Sequence, residues 1–69
     1  MGQVIFTERI VWEAHYGVRA VEISLEGKWV RVVGRDTQMM TPHEKRTKCS
    51  FTEVLEWAVK WLHCDAEWI

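Results

Sequence analysis

From Val4 to Ala14 the even positions Val4, Phe6, Ile10 and Trp12 are apolar, with Glu8 the one polar residue among them, while Thr7, Arg9 and Glu13 lie between. A period of two predicts a strand over about residues 3–14. The same alternation returns at 18–26, where Val21, Ile23 and Leu25 interleave with Ala20, Glu22 and Ser24. In the next stretch, 28–36, Trp29 and Val33 share one face and Val30 and Val32 the other. The turn before it decides which face is buried. With Glu26-Gly27 at the centre of a two-residue hairpin, Ile23 opposes Val30 and Val21 opposes Val32, while Glu22 meets Arg31 and Ser24 meets Trp29. A turn at Tyr16-Gly17 likewise sets Trp12 against Val21 and Ile10 against Ile23. Both registers gather the apolar side chains on one face and predict a three-stranded antiparallel meander. Its outer face carries Arg9, Glu13, Glu22 and Arg31, with Trp29 and Val33 exposed.

Residues 34–49 are less regular. Pro42 biases Thr41 towards extended backbone and ends any element there, so a fourth strand at about 45–49 and a plain loop are both open. Ser50-Phe51-Thr52-Glu53 fits a capping box, with Cys49 placed to staple against Val54, and predicts a helix over about 51–64. One compact α+β domain over residues 1–69 follows, a three- to four-stranded antiparallel β-meander packed in two layers on one C-terminal α-helix.

That helix is more apolar than one sheet requires. Turned at 100° per residue, Phe51, Val54, Leu55, Ala58 and Leu62 form one face, and Trp57, Trp61 and Cys64 a second stripe beside it that Trp68 extends if the helix continues. Together they cover an arc of roughly 180°, nearly twice the stripe of an ordinary amphipathic helix. Two readings stand. Either the tail DAEWI folds back over the tryptophans, or Trp57, Trp61, Cys64 and Trp68 form a partner-binding flank, for a protein target or a second copy in a homodimer. Dimerisation would reinforce a chain of 69 residues, whose single small core is only marginally stable.

Charge adds a second candidate surface. The net charge is −1, but residues 28–48 alone sum to +4. Lys28, Arg31, Arg35, Lys45, Arg46 and Lys48, with Trp29 available for stacking, would make a basic patch of the kind single-stranded nucleic acid uses, if strand and loop meet in space. The plainer reading is a solvated sheet edge kept from aggregation by lysines. Some single-strand binders and the end of the double-stranded-RNA-binding domain also run strands first and a helix last, a similarity of element order alone.

Chemistry has little support in the sequence. Cys49 and Cys64 bracket the predicted helix, about 22 Å apart at 1.5 Å per residue, which rules out an intrachain bridge or a shared zinc site. There is no C-x-x-C or H-x-x-x-H spacing, so no metal or other cofactor is expected. His15, His43 and His63 fall in a turn, a loop and a helix end, without a nucleophile and base arrangement. The chain is also short for enclosing a pocket of ~300 Å³ or more, so no small-molecule substrate is expected. No stretch reaches the ~18 apolar residues of a membrane span, and MGQVIFTERIV lacks the features of a signal peptide. The expectation is a soluble, cytoplasmic, non-enzymatic binding protein, a small regulator or inhibitor of the kind phages and mobile elements encode. It would act through the aromatic helix flank, with nucleic-acid binding through the basic patch as the alternative.

Overall fold

A computed structural model describes residues 10–69. Strands β1 (Val11–Tyr16), β2 (Arg19–Glu26), β3 (Trp29–Asp36) and β4 (His43–Thr47) form one antiparallel sheet in the order β1-β2-β3-β4, and helix α1 (Phe51–Leu62) follows. The domain is the expected two-layer α+β meander, and the fourth strand exists. It runs over His43–Thr47 rather than 45–49, starting directly after Pro42, which needs no ladder hydrogen bond outside the strand. The part of the first expected strand at residues 3–9, with Val4, Phe6 and Arg9, lies outside the described residues.

Both hairpin registers differ from the expected ones by two residues. Trp12 opposes Ile23 and Ala14 opposes Val21, while Ile23 opposes Val32 and Leu25 opposes Val30. The reason is where glycine sits in each turn. Gly17 and Gly27, at φ 57° and 61°, are the first central residues of the turns Gly17-Val18 and Gly27-Lys28, as in a type II′ hairpin, not the second. A slip of two keeps every side chain on its face, so the core survives the correction.

That core consists of Val21, Ile23, Val30 and Val32 from the sheet and Val54, Ala58, Trp61 and Leu62 from α1, with Trp12, Ala14, Leu25, Phe51, Leu55, Trp57 and Trp68 packed around it. The helix lies over β2 and, to a smaller extent, β3. On the opposite face Val33, expected to be exposed, is only 6% accessible, flanked in register by Glu22 and Glu44. Ser24, between Val11 and Arg31, is buried there too.

Ser50 caps the helix, its Oγ accepting the Glu53 N–H at 3.2 Å. The C-terminal end comes earlier than expected. Cys64 takes φ 63°, its N–H donates to Trp61 O at 3.0 Å, and the Asp65 N–H donates to Lys60 O at 2.8 Å. This is a Schellman stop with cysteine where glycine is usual, and it turns the chain back on itself.

Candidate binding surfaces

The reversal at Cys64 decides the fate of the aromatic flank. Cys64 leaves the helical stripe in which the i, i+4, i+7 spacing would place it, and Trp68 returns to the helix instead of extending it. Its ring stands edge-on to Trp57 and Trp61, with centroids 4.9 and 5.3 Å away, and Trp57 and Trp61 lie 6.3 Å apart. The Trp57 indole N–H donates to Glu67 O at 2.8 Å, which holds the tail in place. Trp61, expected on an open flank, is only 4% exposed and belongs to the core. Trp57 and Trp68 are half-buried, and Cys64 is exposed with a free thiol, as is Cys49.

Beneath the cluster, Trp68 also stacks on His43 of β4, with centroids 5.1 Å apart. Gly34 lies under the Trp61 and Trp68 rings. Arg19 closes the other side, a residue the sequence patterns did not single out. Its Nε donates to Asp36 Oδ2 at 3.0 Å, its Nη1 to Trp61 O at 2.6 Å, and its guanidinium lies 4.7 Å from the Trp61 ring centroid. A cation is thus bonded to a carbonyl of the last helical turn, where the helix dipole favours one. Asp36 also accepts the Gln38 N–H at 2.9 Å. That bond first, and Arg19 second, hold its carboxyl below the usual range.

The tail borders an open depression of about 570 Å³, lined by Arg19, His43, Asp65, Glu67 and Trp68 among others. It is a surface depression rather than an enclosed pocket, and the returning tail forms one of its walls. A smaller one, about 220 Å³ and almost wholly apolar, lies between β4 and α1 beside Lys45, Cys49, Val54, Trp57 and Ile69. Cys49 and Val54 thus share a wall at the helix start. Among the described residues no group of three or more His, Cys, Asp or Glu side chains is placed to hold a metal ion.

The sheet register divides the basic patch. Trp29, Arg31, Arg35 and Arg46 are on the outer face, whereas Lys45 opposes Val32 and so points to the helix side. Lys28 sits in the turn before β3. Lys48 places its ammonium 5.1 Å from the centroid of the Trp29 ring, which is 45% exposed. Arg31 opposes Arg46, a like-charge pair that Glu44 relieves. Arg31 Nε donates to Glu44 Oε2 at 2.8 Å, and Nη2 bonds the same oxygen. The Glu44 hydrogen bond and charge, with Glu26 and Glu22 further off, raise the Arg31 pKa above its ordinary value. It is Glu44, not the expected Glu22, that pairs with Arg31. Arg35 lies further along β3, opposite Ala20.

A third surface emerges only in the structure. Among the exposed large apolar residues, Ile10, Tyr16 and Val18 lie along β1 or its turn, and Val59 is on the helix. The Tyr16 ring stacks on His63 at the helix C-cap, with centroids 4.1 Å apart. Because α1 covers β2 and β3, the inner side of β1 is only half covered.

The fold and these surfaces define a small two-layer α+β domain. No family model matches the chain, and no curated protein or solved structure matches it significantly. Among the described residues no helix is long and apolar enough to cross a membrane.

Proposed function

We propose that the protein works by binding rather than by chemistry, as a small regulator or inhibitor that associates with another protein through the outer sheet face around Trp29. The supporting observation is the setting of that indole. It is nearly half exposed, braced by Lys48, and neighboured on the same face by charges of both signs, Glu26 opposite it and Arg31 and Arg46 one pair along. A large aromatic anchor with a polar rim is the anatomy of a protein interface hot spot. The helix flank serves this reading less well while Trp68 covers it. Two free, exposed cysteines suit a reducing, cytoplasmic setting.

Single-stranded nucleic acid is the second reading, favoured by the Lys48 and Trp29 pair beside Arg46. It is weaker because Arg31 is matched by Glu44 and because Glu22 and Glu26 lie across the same face. Affinity capture with the wild-type chain and with Trp29→Ala, alongside titration with single-stranded DNA and RNA at several salt concentrations, separates the two. A protein ligand retained by the wild type and lost by a folded Trp29→Ala variant supports the first. Binding to nucleic acid that weakens steeply with salt supports the second. A ligand held equally by both chains removes Trp29 from either role.

A further inference from the structure

We propose that two copies of this chain pair edge to edge through β1, antiparallel about a two-fold axis at Ala14, to form one continuous eight-stranded sheet. The proposal does not rest on the role given to Trp29.

The two sheet edges differ in kind. β4, with the sequence HEKRT, is guarded by charges and preceded by Pro42, the devices that keep an edge from recruiting another strand. β1, with the sequence VWEAHY, carries Glu13 as its single Asp, Glu, Lys or Arg, and pairs only with β2 among the described strands. Its hydrogen-bonding direction follows from one bond. The Leu25 N–H donates to Ile10 O at 2.9 Å, so the backbone groups of Ile10, Trp12, Ala14 and Tyr16 face β2. Those of Val11, Glu13 and His15 therefore point to the open edge.

A two-fold axis keeps the helix side of both copies together only if it passes through a residue, since a half-residue centre would set inner side chains against outer ones. An axis at Glu13 would oppose two carboxylates. At Ala14, Glu13 meets His15 of the second copy, and these are the residues whose amides and carbonyls are free to exchange hydrogen bonds. On the helix side the same register brings Trp12 against Tyr16 of the second copy, and Ile10 towards its Val18. Tyr16 and Val18 are 53% and 55% exposed in the single chain, and Ile10, at the other end of β1, is exposed as well. One register thus matches the free backbone groups, the acid with the imidazole, and the uncovered apolar residues. Both Trp29 faces would then lie on the same side of the joined sheet.

Ala14 on the axis would be a non-hydrogen-bonded pair, with Cα atoms about 4.5 Å apart, within reach of a disulfide. In a Cys49→Ser, Cys64→Ser background, Ala14→Cys should oxidise to a covalent dimer, and Glu22→Cys, on the interior strand, should not. Sedimentation of the full chain at micromolar concentration should give a dimer. Glu13→Pro, which removes an outward-facing N–H and leaves the β2 ladder intact, and Tyr16→Lys should each weaken it by at least about tenfold while the circular dichroism is unchanged. A monomeric wild type overturns the proposal. So does a dimer that neither variant weakens, or one in which the cysteine at position 14 does not cross-link.

Discussion

Trp68 rests on Gly34, and the contact accounts for both residues. Gly34 sits inside β3 without the positive φ of Gly17 and Gly27, so its value is space. A Cβ there would overlap the Trp68 ring and come 3.0 Å from Trp61. Glycine in a strand costs roughly 0.5–1 kcal/mol relative to alanine, and here it admits an indole that closes the aromatic cluster. Gly34→Ala should therefore displace the tail, lower stability by about 1–3 kcal/mol, and shift the tryptophan fluorescence to the red. In a Trp68→Ala background the same change should cost less, because the larger of the two overlaps is gone. Equal costs in both backgrounds would separate Gly34 from the tail.

Asp36 offers a pH test. Its carboxyl is held below the usual value by the Gln38 N–H first and by Arg19 second. A carboxyl whose folded pKa is depressed stabilises the protein above its unfolded pKa of about 4, and that contribution is lost as pH falls through the folded value. Asp36→Asn should thus lower stability at pH 7, and the gap from the wild type should narrow as the pH drops below about 4. Urea unfolding at pH 7 and pH 3 measures the difference. A gap that stays constant would show that the charge on Asp36 contributes nothing.

The sheet was legible in the sequence because alternation at Val21, Ile23, Val30 and Val32 survives a slip of two residues. Register itself was not legible, since an isolated glycine in a turn does not announce whether it takes the first or second central position. The surplus of tryptophan on the helix was legible as well, and so was the possibility that the tail covers it. The helix stop was hidden, because it is made by Cys64 in a conformation that glycine normally supplies, and neither glycine nor proline follows it. Gly34 was the missed clue, a glycine inside a strand pattern marking a close approach. Arg19 had no local signature, because its partners Asp36 and Trp61 lie 17 and 42 residues away.

Cys64 is strained where it stands. Non-glycine residues reach a φ of 63° against steric resistance, and glycine at this position completes the same hydrogen bonds without it. Cys64→Gly should stabilise the fold by roughly 0.5–1 kcal/mol net of its greater freedom in the unfolded chain, and Cys64→Val should destabilise it. Thermal unfolding under reducing conditions gives the order. If valine is tolerated as well as cysteine, the left-handed turn does not hold the tail.

Trp61 and Trp29 stand on opposite faces of the sheet, and of the two it is Trp61 that belongs to the core. Trp61 is in the core, against Trp57, Trp68 and the Arg19 guanidinium, and its carbonyl anchors that same arginine. Removing its side chain leaves a cavity and strips the Arg19 stacking surface, so Trp61→Ala should cost about 3–5 kcal/mol. Trp29 stands opposite Glu26 on the outer face, 45% exposed and with Lys48 over its ring, and Trp29→Ala should cost less than about 1 kcal/mol. Denaturant midpoints for the two variants at matched slope test the contrast. A large loss for Trp29→Ala would make that indole structural and remove the strongest argument for the outer face as a binding surface.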